Sequence, residues 1–359
     1  MAIIDVRKEM PSPELDRAEF SKRYRQQFYD PAFRALDGEI DKIIDIAWDA
    51  YSNGRKAPVT RPAGPGYVDP EYKLSVEWTE ASHRIREAEA RQKAPATPSR
   101  ILLINGAARS EHTCPGESSK SYRLAMTAQA IFRGEAGLEI DLLDLSRLTS
   151  EYGRVIHPCK TCVSTAMPLC HWPCTCYPNH SLGQVQDWMN DIYPMWSAAH
   201  GVMIIAPVNW YAAPSVLKLM IDRLVCADGG NPDPTSTHGK RATEAKQIEL
   251  QGWHYPRHLA GRVFSVVVHG DSAGVEDAQQ ALTTWLDDMG LIAAGHQSQL
   301  NTYIDYKGTY ATSHEHLDRD TGFVEEVRNA ARALVHGVTM MRAGNLMQPD
   351  DGLVEPRPK

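Results

Sequence analysis

The chain has 359 residues, 42% hydrophobic and 23% charged, with a formal net charge of -7. That is more than one average domain and less than three, with enough apolar content for a large core. The mildly acidic charge is spread along the chain and disfavours nucleic-acid binding, which needs a basic stripe. The longest apolar runs, such as 202–208, are far short of the roughly 20 residues needed to cross a bilayer.

Residues 1–10 carry Asp5, Arg7, Lys8 and Glu9 without an apolar h-region, so a reducing cytoplasm is the expected location. Between 31 and 51 the apolar positions Phe33, Leu36, Ile40, Ile43, Ile44, Ala47, Trp48 and Tyr51 recur at steps of three and four, which predicts a helix started by Asp30-Pro31. The stretch 52–70 is rich in Gly and Pro and reads as a linker. A more polar helix is expected from about Glu71 to Gln92. Residues 1–98 thus form an expected helical extension, with a packing role rather than a catalytic one.

From Arg100 the pattern changes to short apolar runs at 101–104, 138–143, 202–206, 263–268 and 291–294, separated by amphipathic helices. Five strands alternating with helices predict an α/β fold with a doubly wound parallel sheet, spanning 99–300, followed by a C-terminal loop, helix and tail over 301–359. Such sheets bind ligands beyond the carboxyl ends of their strands.

The loop after the first strand, Asn105-Gly106-Ala107-Ala108-Arg109-Ser110, leads through 111–117 to Ser118-Ser119-Lys120-Ser121 opening a helix. Small residues, hydroxyls and Lys120 at a helix start suit a terminal phosphate, although Ser118 or Ser119 also reads as a simple N-cap. Neither GxGxxG nor GxxxxGK[ST] is present, so a classical dinucleotide fold or P-loop is not expected. After the third strand comes Pro207-Val208-Asn209-Trp210-Tyr211, whose aromatics and backbone amides suit a planar heteroaromatic ring. After the fourth comes His269-Gly270-Asp271, where glycine permits close backbone approach and His269 could meet a proton or a ring carbonyl.

Together these loops resemble the flavodoxin-like NAD(P)H-dependent FMN reductase family, which reads approximately GSxR…NT, PVYW…PA.LK.FIDR and HG or GG at the three places. The stretch from Pro207 to Arg223, PVNWYAAPSVLKLMIDR, matches in residue type and spacing over 17 positions. The resemblance covers about 100–295. It implies a flavodoxin-like five-stranded sheet of order 2-1-3-4-5, bound FMN, NAD(P)H as reductant and a homodimer or homotetramer. Carried over by position, Arg109, Ser119 and Ser121 meet the phosphate, Pro207, Val208, Asn209, Trp210 and Tyr211 line the isoalloxazine, and His269, Gly270 and Asp271 close its other side. Ala107 in place of the family's serine, and the 111–117 insert, depart from the pattern.

The loop after the second strand holds Cys159, Cys162, Cys170, Cys174 and Cys176, five of the seven cysteines, among several prolines. Cys-x-x-Cys pairs chelate well, so these thiols are candidate ligands for zinc or an iron–sulfur cluster, with His157 and His171 as further zinc ligands. Free thiols or reversible disulfides are the alternative. Iron–sulfur flavoproteins also carry cysteines here, but in a more compact spacing. Tyr303 and Lys307 fit a Tyr-x-x-x-Lys spacing, yet they follow the last expected strand and no glycine fingerprint precedes them. His314, His316, Asp318 and Asp320 precede a helix expected over 321–341, and the two aspartates read as caps and turn residues rather than as a metal site.

The expected function is an FMN-dependent oxidoreductase passing electrons from NAD(P)H to a small quinone, nitro, azo or flavin acceptor. The alternatives are an electron-transfer protein resembling iron–sulfur flavoproteins, without pyridine nucleotide turnover, and a non-catalytic zinc-stabilised binding protein.

Overall fold

A computed structural model describes residues 8–346, which divide into two compact units. One takes in the described residues up to Ser82 together with Lys160–Asp187 and Gly229–Tyr255; the other takes in His83–Cys159, Trp188–Asp228 and the described residues from Pro256 onward.

In the first unit, α1 (Arg17–Arg25) starts where the Asp16 carboxylate accepts the Glu19 N–H at 2.8 Å. A 3-10 turn (Pro31–Leu36) precedes α2 (Asp37–Ser52), so the helix expected from Asp30-Pro31 begins as a tighter turn. Only Ile40 and Ile44 of its apolar stripe are buried, against Phe20, while Phe33, Leu36 and Ile43 stay exposed. The helix expected from Glu71 is corrected at its start. Strand β1 (Thr60–Pro62) pairs antiparallel with β2 (Lys73–Ser75), and α3 (Val76–Lys93) begins only after them. Here hydrogen bonding to a partner strand overrides local helix periodicity.

Strand β3 (Ser99–Asn105) opens the main sheet and is followed by α4 (Lys120–Arg133), β4 (Leu138–Asp144) and the short α5 (Arg147–Ser150). Then come α6 (Met189–Ala198), β5 (Gly201–Pro207) and α7 (Ser215–Asp228). Helix α8 (Ala242–Leu250) belongs to the first unit. The sheet continues with β6 (Val263–Gly270), α9 (Val275–Asp288), β7 (Ile292–Ala293) and β8 (Gln299–Tyr303), and the described chain closes with α10 (Ser313–Arg319) and α11 (Thr321–Arg342). The order is β4-β3-β5-β6, with β7 and β8 both parallel to β6. This is the flavodoxin-like order 2-1-3-4-5 with its fifth strand in two pieces, which makes six strands.

The split has a visible cause. Phe264 pairs with Ala293 and Val266 with Gln299, so Ser265 faces the interruption, and its hydroxyl donates to the Ser298 carbonyl at 2.8 Å. Tyr303 therefore ends a strand rather than following the last one, and its hydroxyl donates to Glu276 Oε2 at 2.6 Å.

Every residue of β6 is buried, as expected for a parallel strand covered on both faces. On one face Leu103, Met203 and Val267 pack with Phe323, Val327, Leu334 and Val338 of α11. Each such buried side chain contributes about 1.5–3 kcal/mol. Asp320 caps α11 by accepting the Phe323 N–H at 2.9 Å, the role its place in the sequence suggests.

Asp228, at the end of α7, is buried and accepts the Leu259 N–H at 2.7 Å. Burial pushes its carboxyl up to about 7, against the lowering effects of that N–H and of Arg262 and Arg257. A carboxyl raised in the folded state contributes stability that is present below its unfolded pKa, near 4, and lost as pH rises through 7. Urea unfolding is expected to show on the order of 2 kcal/mol lost between pH 5 and pH 8, a loss absent in Asp228→Asn. Parallel pH profiles for the two proteins would assign the loss to other groups.

Candidate active site

The carboxyl ends of β3, β5 and β6 converge on a cavity of about 240 Å³. Buried Asn105 ties the first loop down: its Nδ2 donates to Asp144 Oδ1 at 2.8 Å, and the Gly106 N–H donates to the Ile205 carbonyl at 2.8 Å. Arg109, Ser119, Lys120 and Ser121 line one side. Pro207, Val208 and Asn209 line a second, and His269, Gly270 and Asp271 a third. Ten of the residues singled out from the sequence are thus brought to one cavity.

Trp210 and Tyr211 are not in that lining; they are 94% and 65% exposed. They form a tight turn in which the Ala212 N–H donates to the Asn209 carbonyl at 3.1 Å, with φ of 49° and 66° at the two aromatics. A turn with both central residues at positive φ is normally built from Asn and Gly, so Trp and Tyr here store backbone strain. The backbone donors expected to face a ring are partly engaged: the Val208 N–H donates to the His269 carbonyl and the Asn209 N–H to the Ala212 carbonyl.

Ser119 is the N-cap of α4, its hydroxyl accepting the Tyr122 N–H at 3.0 Å. Ser121 is buried and shares a 2.7 Å hydrogen bond with His269 Nε2. Burial pushes His269 down to about 3, assisted by Lys120 and His314, so its imidazole is neutral at physiological pH. It therefore positions Ser121 rather than exchanging protons in the ordinary range.

Arg109 donates through Nη2 to Glu117 Oε2 at 2.5 Å and through Nη1 to the Tyr310 hydroxyl at 2.8 Å, while its Nε is buried without a hydrogen-bond partner among the described residues. Lys120 is 8% exposed, with its ammonium 4.4 Å from the centre of the Tyr310 ring. Burial lowers its pKa, opposed by the Asp271 and Glu117 carboxylates. Tyr310, His314 and Ile304 also line the cavity. Sequence reasoning missed Tyr310 and Ile304 and weighed His314 only for a metal site, because all three come from the chain beyond the fifth strand, where no motif ties them to this cavity. A second hollow of about 600 Å³ lies at the ends of β3 and β4, shares Arg109 and is lined by Ser110, Ser146, Arg147 and Tyr122.

Two cations, an orphaned guanidinium N–H and an apolar wall on β5 fit a flat ring carrying a phosphate. FMN is such a group.

The cysteine loop is built differently from the metal site expected of it. Among the described residues no group of three or more His, Cys, Asp or Glu side chains is placed to hold a metal ion. His171 has both ring nitrogens engaged, Nδ1 with Thr175 Oγ1 at 2.6 Å and Nε2 with Thr237 Oγ1 at 3.0 Å, and burial holds it neutral. Cys162 and Cys176 approach to 3.6 Å between sulfurs, and the Cys176 N–H donates to Cys174 Sγ at 3.4 Å. The hydrogen bond from Cys176 and the charge of Lys240 lower the Cys162 thiol to about 6, while Cys176, bonded to Cys162 and Cys174, is pushed up and stays protonated. Cys159 lies in the larger unit, whereas the other four belong to the first. His314, His316 and Asp318 are likewise occupied, with Glu117, Asp305 and Arg123 respectively.

No helix among the described residues is long and apolar enough to cross a membrane. Residues 99–304 match the sequence profile of the family described as NADPH-dependent FMN reductase. No curated protein matches the chain. Among solved structures, RosB with bound 8-demethyl-8-formylriboflavin-5'-phosphate is 14% identical, over 69% of this chain and 82% of that one, with a TM-score of 0.49. An oxidoreductase from Corynebacterium diphtheriae is 16% identical, over 67% and 97%, with a TM-score of 0.38. An FMN-dependent NADH-azoreductase from Bacillus anthracis strain Ames Ancestor, in complex with FMN, is 14% identical over 66% and 99%, also at 0.38.

Proposed function

The chain belongs to the NADPH-dependent FMN reductase family, and on that premise we propose that it holds FMN at the ends of β3, β5 and β6 and passes electrons from NAD(P)H to a small quinone, nitro, azo or flavin acceptor. The observation that carries the placement is the convergence of Arg109, Lys120 and the Pro207 to Asn209 wall on one cavity. FMN, when bound, supplies the two-electron chemistry. Arg109 and Lys120 hold the phosphate by charge, with the free Arg109 Nε–H as a further donor. Pro207 and Val208 give an apolar surface that excludes water from one side of the ring, and Gly270, with no Cβ, leaves the room in which the Val208 side chain packs. Neutral His269 keeps Ser121 oriented at the floor.

Titration of apo-protein with FMN, followed by flavin fluorescence, is expected to saturate at micromolar concentration. In Arg109→Ala the affinity is expected to fall about 10- to 100-fold, the loss of charged hydrogen bonds worth roughly 1.5–3 kcal/mol. Unchanged affinity would remove Arg109 from the phosphate site. Anaerobic mixing with NADPH or NADH is expected to bleach the flavin. A flavin that stays oxidised over minutes with both, yet bleaches with dithionite, overturns the reductase reading.

A further inference from the structure

We propose that Cys162 and Cys176 are a redox pair, a dithiol that closes to a disulfide by exchange with an anionic low-molecular-weight disulfide. The two sulfurs stand 3.6 Å apart, although 14 residues separate them in sequence. That spacing is built into the loop. The Trp172 N–H donates to the Asn231 carbonyl at 3.0 Å, the Asn231 N–H to the Cys170 carbonyl at 2.8 Å, and Trp78 Nε1 to the Pro173 carbonyl at 2.9 Å. Together with the doubly bonded His171 ring, these bonds pin residues 170–175, the stretch that leads directly into Cys176.

The two sulfurs are unequal. Cys162 is half-buried, whereas Cys176 is 5% exposed, so an incoming reagent meets Cys162 first. Lys240 is anchored by donating to the Leu169 carbonyl at 2.5 Å and places the same ammonium 3.7 Å from Cys162 Sγ. An adjacent cation marks a reactive rather than an inert cysteine. Lys240 also lines a cavity of about 360 Å³ together with Lys56, Arg55, Tyr72 and Trp78. A hollow with four cations at its wall, Lys73 being the fourth, selects a reagent carrying carboxylates.

The step balances without a further reactant. The Cys162 thiolate attacks one sulfur of the reagent disulfide, forming a mixed disulfide and releasing one thiolate. Cys176 then attacks the Cys162 sulfur, its proton goes to the second departing thiolate, and the Cys162–Cys176 bond forms. Two electrons pass from the dithiol to the reagent. The sulfurs close from 3.6 Å to ~2.05 Å.

The test uses the purified full chain, reduced and then treated with oxidised glutathione under anaerobic conditions. Titratable thiols are expected to fall from seven to five per chain, and peptide mapping without reductant is expected to join Cys162 to Cys176. Cys176→Ser is expected to stop at a single glutathionyl adduct on Cys162, and Cys162→Ser to form neither product. At low ionic strength oxidised glutathione is expected to react about tenfold faster than cationic cystamine, a ratio that shrinks with added salt. Seven persisting thiols, a cross-link between other cysteines, equal or faster reaction with cystamine, or stoichiometric zinc or iron that must be chelated before the thiols react would each overturn the proposal. The wild-type map decides the question even where a variant does not fold.

Discussion

Gly274→Ala is expected to lower the thermal midpoint and to weaken FMN binding together, because it strikes the strained aromatic turn from across the cavity rim. Gly274 caps α9 at φ +103°, a conformation that costs an L-residue about 1–2 kcal/mol. A Cβ there would lie 2.8 Å from the Tyr211 Cα and 3.1 Å from its Cδ1. The first is a backbone atom in a turn already held at positive φ, so it has no low-cost escape. Overpacking of this kind adds about 1–3 kcal/mol. The sum, about 3 kcal/mol, corresponds to roughly 6–12 °C in a domain of this size. Displacing the turn also moves Asn209 and the wall it forms, so FMN affinity is expected to fall about tenfold or more. Gly183→Ala is the control, since Gly183 is also left-handed, at φ 69° and ψ 12°, with nothing within 4 Å of its would-be Cβ. It is expected to show the backbone cost alone and full FMN affinity. Equal effects in calorimetry and flavin titration for both variants would mean that the Gly274 contact does not hold the turn.

Arg262→Met is expected to cost about 3–5 kcal/mol of stability in urea unfolding, with the FMN site affected only as the fold loosens. Arg262 is 3% exposed, and its guanidinium donates to the Trp196 carbonyl at 2.9 Å, the Ser197 carbonyl at 2.8 Å, and the His258 and Ala260 carbonyls at 3.3 and 3.4 Å. Trp196 and Ser197 are in the last turn of α6, where carbonyls carry partial negative charge, and the Trp196 carbonyl also accepts the C-cap Ala199 N–H at 3.3 Å. Burial lowers the guanidinium to about 10, which leaves it charged at neutral pH. Methionine keeps most of the packed stem and removes all four donations, at about 1–3 kcal/mol for each buried carbonyl that has no other donor, before relaxation. Arg262→Lys is expected to recover part of the loss, since one ammonium keeps the charge but cannot span the same carbonyls. A loss below about 1 kcal/mol in the methionine variant would show that water or a shift of α6 satisfies these groups.

Legibility divides along the range of the interactions involved. The runs at 101–104 and 202–206 are uninterrupted because strands buried on both faces have no polar side to show, 263–268 is broken only by Ser265, and 138–143 alternates with Glu139 and Asp141 as a half-buried edge strand does; all four form strands. Helix α11 and its Asp320 cap were readable because capping and apolar periodicity act within one or two turns. The three loops of the cavity were readable for the same reason: small residues and prolines at strand ends declare themselves locally.

What depended on partners far away in sequence was not readable. Residues 299–303 carry no stronger strand pattern than their neighbours, and they become β8 because β6 offers them hydrogen bonds past the Ser265 interruption. Lys73–Ser75 was drawn from a helix into a strand by Thr60–Pro62 in the same way. Tyr310 enters the cavity only because the chain returns beyond that fifth strand, and Arg109 meets it across 201 residues. Cys162 meets Cys176, 14 residues on, and His171 spends its nitrogens on two threonines, since loop closure and side-chain hydrogen bonding decide distances that spacing alone leaves open. By itself, then, the sequence determined the sheet, its helices and the chemistry of the strand-end loops, all set by burial and short-range backbone preference. Tertiary structure alone decided which sulfurs meet, which histidine stays neutral and which aromatics are strained outward, because each depends on groups that only packing brings together.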